Sequence, residues 1–427
     1  MAALRLAMPP LPVSPFFDAW ERLQVEGHMG EMSKTAEAGR RGPDVRSDAW
    51  VQIALRESGG LELQVKSKVE SMYGEAVRGL IGDMLGAFGV KRARVELEDA
   101  GAVPFVLMAR IEAAVRRLGV DVGEGYLPER AAGTDYGTER ERFRRSRLYL
   151  PGNEPKFMLN AGLHRPDGLI LDLEDSVAPA VKDEARLLVR NALRSIDFLG
   201  AERMVRINQG QRGLEDLDCI VPHNVHVILL PKVETAEHVR AADRRIAEIL
   251  KAKGISRPVY LMPIVESALG AINAYEIATA SPNICALTIG LEDYTADIGT
   301  QRTNEGRESF WARCQVVNAA RAAGIPPIDT VFSDINDMDG LRASVLEAKG
   351  LGFEGKGCIH PRQIAVIHEA FAPAPVELEK AQKIVAAFEE AQAKGLGVVA
   401  LGSKMIDPPV VKRALRVVRL AEAMHGQ

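Results

Sequence analysis

Charged residues follow a series of apolar runs in the middle of the chain, and these are the residues that could do chemistry. In chain order they are Asp172, Glu174, Asp175, Arg206, Lys232, Glu266 and Asp293. Buried parallel strands read as unbroken apolar runs, and polar groups at their carboxyl ends collect at one face of a barrel. The sequence therefore predicts an active site at that face.

Two of these carboxylates are candidates for a metal site. Glu266 and Asp293 follow neighbouring predicted strands, whose ends lie ~5 Å apart. Mg²⁺ suits two carboxylates together with waters and substrate oxygens. The alternative is that each carboxylate caps the helix that follows it. Because Arg206 and Lys232 end the adjacent strands, the pattern favours the metal site.

Arg206 offers a planar fork that suits a carboxylate or a developing oxyanion. The alternative is an ion pair with Glu174 or Asp175, and both can hold at once. Strand alternation puts Asp172 and Glu174 on one side, whereas Asp175 starts the following turn. We expect one or more of these acids to orient Arg206 or metal-bound waters.

Asp407 lies between an apolar pair and two prolines, on a segment flanked by glycines. On a hinged lid it could enter a pocket as an acid or base, with a pKa raised by desolvation. It could equally be an ordinary helix N-cap before Pro408. The spacing leaves both interpretations open.

The elements that must position these residues alternate between strand and helix after residue 145. Strands are predicted near 147–150, 168–172, 203–207, 225–230, 258–265, 284–290, 326–331 and 355–359. Parallel strands joined by crossover helices predict an α/β fold, a (β/α)8 TIM barrel. A doubly wound open sheet is the competing architecture, because strand number does not show closure.

We divide the chain into five parts. Residues 46–118 read as β-β-α-β-α, a small α+β domain whose first two strands form a hairpin around Ser58-Gly59-Gly60. The other parts are a mobile arm (1–45), a flexible linker rich in Gly and Arg (119–143), the barrel (144–373), and C-terminal helices with a lid (374–427).

Composition narrows the functional classes. A formal charge of −4 gives no support for nucleic acid or an anionic membrane as partner. Four scattered cysteines predict free thiols of a reducing compartment, and His223 with His226 offers no third zinc ligand. No apolar run reaches the ~18 residues needed to span a bilayer, and prolines interrupt any signal core. We expect a cytoplasmic location.

Residues 145–424 resemble the citrate lyase β-subunit family, Mg²⁺-dependent lyases that act on citryl, malyl and citramalyl thioesters. The matching strings lie at 145–153, 172–176, 206–208, 230–232, 264–267, 290–294, 329–331, 352–356, 359–364 and 404–407. The stretch 302–308, with 312–314 after it, is most similar to citrate lyase β subunits themselves.

The resemblance implies a role for each matching residue. Glu266 and Asp293 would be the Mg²⁺ ligands, and Arg206 would bind the keto-acid end. Glu174 and Asp175 would stand behind the metal ligands, and Asp407 would be the acid/base of the lid. The residues implied in substrate and thioester binding are Arg145, Pro151, Gly152, Asn153 and Lys232.

Residues 38–118 resemble the acyl carrier (γ) subunit of citrate lyase. In that subunit an arm derived from dephospho-CoA sits on the first of two serines before an aspartate. Here Arg46 occupies that position, which leaves Ser47 before Asp48 as the candidate for a phosphoribosyl-dephospho-CoA arm. A free CoA thioester as substrate is the alternative to such an arm.

Together these features predict a carbon–carbon lyase that cleaves citryl thioester into oxaloacetate and acetyl thioester. One alternative is the same chemistry on free malyl-CoA or citramalyl-CoA, with an unmodified N-terminal domain. Another is a non-catalytic carrier or assembly subunit. The expected partners are an acyl thioester, an acyl-transferase (citrate lyase α) subunit, and further copies of the chain in a trimer or hexamer.

Overall fold

The computed structural model describes residues 34–393, 399–401 and 404–425. Most of the predicted N-terminal arm, residues 1–33, lies outside the described residues. The glycines predicted to hinge the lid, Gly395, Gly397 and Gly402, lie outside them too.

The N-terminal domain is a four-stranded sheet with two helices. Its elements are β1 (Thr35–Gly39), β2 (Ala49–Leu55), β3 (Leu61–Ser67), α1 (Glu70–Ala87), β4 (Ala93–Asp99) and α2 (Pro104–Arg117). The strand order is β1-β2-β4-β3, and the buried apolar residues of the sheet and its two helices belong to one core cluster with those of the barrel.

Two predictions for this domain are wrong. The strands β2 and β3 do not form a hairpin, because β4 lies between them, antiparallel to β2 and parallel to β3. Alternation fixes which face of a strand is buried but not which strand lies beside it. The predicted arm also ends too late, since β1 at residues 35–39 already pairs with β2.

The second domain is a barrel of eight parallel strands. They are β5 (Ser146–Pro151), β6 (Gly168–Asp172), β7 (Glu202–Arg206), β8 (Val227–Leu230), β9 (Tyr260–Val265), β10 (Leu287–Ile289), β11 (Pro327–Ile328) and β12 (Lys356–Cys358). The sheet runs in chain order from β5 to β11, and β12 pairs with β5. A parallel bridge between Asp329 and Lys356 joins β11 to β12. The predicted barrel is therefore confirmed over the open sheet.

Helices surround the barrel. They are α3 (Pro155–Met158), α4 (Lys182–Ser195), α5 (Gly210–Ile220), α6 (Ala236–Ala252), α7 (Ala268–Ile272), α8 (Ala274–Ala278), α9 (Leu291–Asp297), α10 (Phe310–Ala322), α11 (Met338–Leu351) and α12 (Arg362–Phe371). A continuous apolar core lies between strands and helices, and a separate small cluster around Ile170, Met204 and Met262 fills the barrel interior. All four cysteines are free thiols.

The segment 119–143 is packed rather than flexible, so this part of the prediction is wrong. The carbonyl of Thr134 accepts hydrogen bonds from Arg203 and from Asn224 Nδ2, the latter at 2.8 Å. The Tyr136 hydroxyl donates to the Ala201 carbonyl at 2.7 Å. These partners lie at the amino ends of β7 and β8, so the segment covers the end of the barrel opposite the predicted site.

The C-terminal segment forms α13 (Pro375–Ala393), the hairpin of β13 (Val399–Leu401) and β14 (Lys404–Ile406), and α14 (Pro408–His425). Arg416 of α14 pairs with Glu354 and lies over the Phe143 ring, with 5.9 Å between the guanidinium carbon and the ring centroid. Both partners precede barrel strands. Within one chain, α14 therefore packs against the amino ends of the strands. No helix in the described ranges has the length and apolar character that a membrane span requires.

Candidate active site

A cavity of about 390 Å³ opens at the carboxyl ends of the barrel strands. Its walls include Arg147, Tyr149, Asp172, Asp175, Arg206, Glu266 and Asp293. The structure therefore brings together the strand-end residues that the sequence singled out.

Arg206, the last residue of β7, binds Asp172 at the end of the neighbouring β6. Its Nε and Nη2 atoms donate to the two carboxylate oxygens at 2.7 Å each. Its Nη1 atom lies 3.0 Å from Glu174 Oε2 and 3.6 Å from Asp175 Oδ2. Burial opposes charge on both Arg206 and Asp172, but their pairing outweighs it: the pKa of Asp172 is lowered and that of Arg206 is raised. The predicted ion pairs of Arg206 are present, with Asp172 as the principal partner.

Lys232 contacts four acids of the site, Glu174, Asp175, Glu266 and Asp293. Its φ of 49° lies in the left-handed region, an uncommon conformation for a residue with a side chain. In this conformation its backbone N–H donates to Glu266 Oε1 at 2.6 Å, while Nζ lies 3.2 Å from Glu174 Oε1 and 3.4 Å from Asp293 Oδ1. One residue thus offers its backbone N–H to Glu266 and its ammonium group to the other acids of the cluster.

Glu266 is the buried acid of the cavity, with 4% of its surface exposed. Burial raises its pKa to about 8; the N–H of Lys232 acts against this, and the nearby Asp293 adds to it. The backbone at Gly290 comes so close that a Cβ atom there would lie 2.4 Å from Glu266 Oε2. Glu266 can occupy its position only because residue 290 has no side chain.

The alternative that both metal-site carboxylates are helix caps does not fit. Ser267, not Glu266, caps α7, where its Oγ accepts the N–H of Gly270 at 3.1 Å. The sequence suggested that Asp293 ends a strand. It lies instead in the first turn of α9, four residues after Ile289, the last residue of β10. It is 41% exposed toward the cavity mouth, within ion-pair distance of Lys232.

These residues fit a divalent cation. The described part of the chain contains no group of three or more His, Cys, Asp or Glu side chains able to hold a metal, and at this cavity Glu266 and Asp293 offer two carboxylates. Mg²⁺ commonly binds that way and takes its other ligands from water and substrate. Burial raises the pKa of Glu266, and a bound cation would favour its charged form.

Two residues of β5 line the cavity but were not assigned roles from the sequence. Arg147 is buried inside the barrel, where Nη1 contacts Thr288 Oγ1 at 3.3 Å and Nη2 donates to the Asp329 carbonyl at 3.4 Å. Burial lowers its pKa, and no carboxylate of the described residues pairs with it. The centroid of the Tyr149 ring lies 5.3 Å from the Arg206 guanidinium carbon. An arginine that interrupts an apolar strand is the signal that could have identified Arg147.

The prediction for Arg145 is wrong. It precedes β5, at the amino end of the barrel, where its guanidinium makes two 2.8 Å hydrogen bonds to Asp167. The predicted loop Pro151-Gly152-Asn153 does lie at the carboxyl end of β5. Gly152 N donates to the Asp172 carbonyl at 2.7 Å, which places the loop beside the cavity.

Asp407 is not brought to this cavity within one chain. Its carboxylate accepts the N–H of Val410 at 3.2 Å and so caps α14, and its side chain is exposed. Across the described part of the chain, no contact joins Asp407 to Glu266 or Asp293. The N-cap interpretation describes this chain; a catalytic role would need the barrel of another copy.

Ser47 lies where the N-terminal domain meets the barrel. The next residue, Asp48, is fully buried and binds Arg110 in two hydrogen bonds of 2.9 and 3.0 Å. Arg110 also donates to the Asn153 carbonyl at 3.2 Å, and Arg40 pairs with Glu154. The segment resembling the carrier attachment site is therefore held against the 151–154 loop.

Comparison with known proteins accounts for both domains. The sequence model described as HpcH/HpaI aldolase/citrate lyase matches residues 145–361, which include the whole cavity. The chain belongs to this family. Like its relatives in the HpcH/HpaI aldolase/citrate lyase family, it is a carbon–carbon lyase. A second model, described as malonate decarboxylase delta subunit (MdcD), matches residues 35–118, so an acyl carrier-like domain precedes the lyase barrel.

Several relatives in the family are similar over the barrel. Citrate lyase subunit beta of Leuconostoc mesenteroides subsp. cremoris is 42% identical over 67% of this chain and 95% of its own length. Mitochondrial citramalyl-CoA lyase of Homo sapiens is 34% identical over 76% of this chain and 95% of its own. The crystal structure of CitE from Mycobacterium tuberculosis in complex with magnesium, acetoacetate and coenzyme A is 29% identical, with a TM-score of 0.53, and covers 66% of this chain and 99% of that one.

Proposed function

We propose that this lyase cleaves citryl thioester into oxaloacetate and acetyl thioester with Mg²⁺ held by Glu266 and Asp293. The observation that carries the proposal is the Arg206 guanidinium, fixed by Asp172 and Glu174 beside these two carboxylates. The higher identity to citrate lyase β subunits than to citramalyl-CoA lyase favours citryl as the acyl group.

The residues of the cavity divide the work of this cleavage. Arg206 would bind the oxygen that becomes the keto group, because its fork is already oriented by Asp172. The Lys232 ammonium, which lies within ion-pair distance of both Glu174 and Asp293, would offset the repulsion between these two carboxylates. When bound, Mg²⁺ would polarise the hydroxyl and carboxylate of the substrate.

The test is a direct assay of the purified full chain. Citryl-CoA, malyl-CoA and citramalyl-CoA are offered with Mg²⁺ or with a chelator, and the keto acid released is measured. We expect oxaloacetate from citryl-CoA, in a metal-dependent reaction. Cleavage of citramalyl-CoA alone would mean that the acyl group of the substrate is citramalyl and not citryl. Turnover of citryl-CoA in the presence of a chelator would exclude a role for the metal.

The acyl group arrives, we infer, on diffusible CoA rather than on an arm attached to Ser47. Arg46 stands at the position that carries the arm in the carrier subunits this domain resembles. The neighbouring Asp48 is buried against Arg110, and the packed 119–143 segment cannot swing the domain between partners. These observations support a domain that stays docked on its own barrel.

This inference is tested with protein from a host that lacks machinery for the prosthetic group. Ser47→Ala should cleave citryl-CoA like the wild type, and Ser58→Ala in the exposed loop after β2 is the matched control. The opposite outcome is activity that appears only after co-expression of the attachment machinery and is lost in Ser47→Ala but not in Ser58→Ala. It would show that the acyl group is carried on an arm at Ser47 and loaded by an acyl-transferase partner.

The proton for the departing thioester enolate would come from Asp407 of a neighbouring copy. Within one chain α14 packs against the amino ends of the strands, so Asp407 is available only to another barrel. Mixing inactive Arg206→Lys and Asp407→Asn subunits should restore part of the activity, because some barrels then combine intact residues. If the mixture stays inactive although mixed oligomers form, each barrel uses its own acid.

A further inference from the structure

A second cavity lies where the two domains and the 119–143 segment meet. This junction cavity has a volume of about 600 Å³, larger than the cavity at the strand ends. Its walls come from α2, from residues 123–130, from α4 and α5, and from the turns at 222–223 and 253–255. It lies outside the barrel, toward the amino ends of the strands, and the proposed lyase reaction does not use it.

The acidic side chains that line the junction cavity are already paired. Glu124 binds Lys253 at 2.7 Å and Asp183 binds Arg117 at 2.6 Å. Glu215 lies 3.3 Å from Arg186, and Asp218 lies 2.6 Å from Arg245. These four carboxylates therefore do not pair with the arginines at the other side of the cavity.

Two arginines that line that side, Arg130 and Arg194, and the neighbouring Arg257, which does not line the cavity, have carbonyl partners instead of carboxylates. Arg194 Nε donates to the Pro128 carbonyl at 2.7 Å, and Arg130 Nη2 donates to the Pro222 carbonyl at 3.3 Å. Arg257 Nη2 donates to the Val221 carbonyl at 2.9 Å. Within residues 34–393 and 404–425, none of the three forms an ion pair with a carboxylate.

The positive charge beside these carbonyl contacts extends beyond the cavity wall to Arg257. The Nε atom of Arg257 is buried without a hydrogen-bond partner. His223 stands among the three arginines, 3.4 Å from Arg194 Nη1 through its Nδ1 atom. Burial and the surrounding arginines lower the pKa of His223 to about 3, and burial with Arg130 and Arg203 lowers the pKa of Arg257 to about 10.

Like charges that gather without a counter-charge destabilise the fold unless a ligand supplies it. A guanidinium fork is suited to phosphate and carboxylate oxygens, and it uses several donors at once for a planar or tetrahedral anion. The junction cavity has room for such an anion, and Arg130 is exposed at its rim.

We propose that the junction cavity binds a multiply charged oxyanion, a phosphate or a polycarboxylate, through Arg130 and Arg194. Such a ligand would connect the 119–143 segment, through Arg130, to α4, through Arg194. Because α2 of the carrier-like domain forms another wall, the ligand would also stabilise the docked arrangement of the two domains.

The test is calorimetric titration of the full chain with inorganic phosphate and, in a separate arm, with citrate, at an ionic strength held constant with sodium chloride. Arg194→Gln and Arg130→Gln remove single donors from the junction cavity. Arg244→Gln on the exposed face of α6 is the matched control, and Arg206→Gln removes the anion-binding group of the strand-end cavity. We expect saturable binding that weakens about tenfold or more in the first two variants and is unchanged in the other two.

A different pattern overturns the proposal. Absence of saturable binding of both anions in the wild type would do so, as would loss of binding in Arg206→Gln with retention in Arg194→Gln and Arg130→Gln. If Arg194→Gln does not fold, Arg130→Gln decides, because Arg130 is exposed and its substitution leaves the core untouched. The arm with the tighter binding identifies the ligand as phosphate-like or polycarboxylate-like.

Discussion

The strand β7 carries two arginines whose surroundings are opposite. Arg206 at its carboxyl end faces Asp172, Glu174 and Asp175, and its pKa is raised. Arg203 at its amino end donates to the carbonyls of the 119–143 segment, and burial lowers its pKa. The carboxyl end of β7 therefore surrounds its arginine with acids, whereas Arg203 at the amino end has carbonyl partners.

This contrast shows that a buried arginine does not by itself mark a reactive site. At the carboxyl end, charged partners hold the guanidinium in one orientation, ready for a substrate that carries negative charge. At the amino end, Arg203 stacks on Tyr136, 4.2 Å from the ring centroid, and joins the linking segment to the barrel. On the proposed function, the first arrangement serves chemistry and the second serves packing.

The largest effect should come from the acids of the carboxyl end. In Glu266→Gln combined with Asp293→Asn, we expect lyase turnover with Mg²⁺ to fall below detection, because both proposed metal ligands lose their charge. The measurement is keto-acid release from citryl-CoA, with circular dichroism as the check on folding. Near-normal turnover in this folded variant would rule out a metal at the pair.

The next effect compares the two arginines directly. Arg206→Lys should lower turnover by roughly 10²-fold or more, because lysine cannot form the bidentate contact to Asp172 or a fork on the substrate. Arg203→Lys is the matched control and should keep its turnover while it unfolds at a lower temperature. Equal losses of activity in both variants would show that the two ends are not functionally distinct.

A smaller effect concerns acid stability at the amino end. His226 is buried and neutral, with Nδ1 accepting the N–H of Arg203 at 3.1 Å and Nε2 2.9 Å from the Tyr136 carbonyl. Burial and then Arg203 lower its pKa to about 4 from the ordinary 6.5. The stability that this group contributes is complete above pH 6.5 and is lost as the pH falls toward 4.

The loss should approach about 1.4 kcal/mol per pH unit as an upper limit in that window. His226→Asn, whose Oδ1 can accept the same N–H, should unfold in urea with a shallower dependence on pH. Identical slopes for the variant and the wild type between pH 6.5 and 4 would assign the acid sensitivity to other groups.

The smallest effect tests the packing of the 119–143 segment. Tyr136→Phe removes the donor to the Ala201 carbonyl and should lower the free energy of unfolding by about 1 kcal/mol. Tyr275→Phe, at an exposed tyrosine, should leave the free energy unchanged. A Tyr136→Phe variant as stable as the wild type would mean that the segment is held by its other contacts alone.

Much of the barrel could be predicted from the sequence, because strands buried on both faces leave apolar runs and the residues after them share one end. That pattern correctly grouped Arg206, Lys232, Glu266 and Asp293. It did not identify Asp172 as the main partner of Arg206, since two adjacent strands have to pair in register before residue 172 lies beside residue 206.

The failures share a physical cause: each depends on contacts between residues distant in sequence. Arg145 belongs to a family motif, but its position before β5 sends its side chain to Asp167 rather than to the cavity. The 119–143 segment has no apolar periodicity, and it is held by backbone carbonyls that any sequence could offer. The place of β4 between β2 and β3 likewise follows from the crossover through α1.

The path of the 119–143 segment has a consequence for synthesis on the ribosome. Tyr136 leaves the ribosome before the residues that hold it, and its contact with His226 spans 90 positions along the chain. The carrier-like domain can be complete while the segment behind it still waits for β7 and β8. The last contacts of the 119–143 segment therefore form late in translation. A pause between residues 136 and 226 would leave that segment unattached, although residues 153 and 154, which contact the carrier-like domain, are already made.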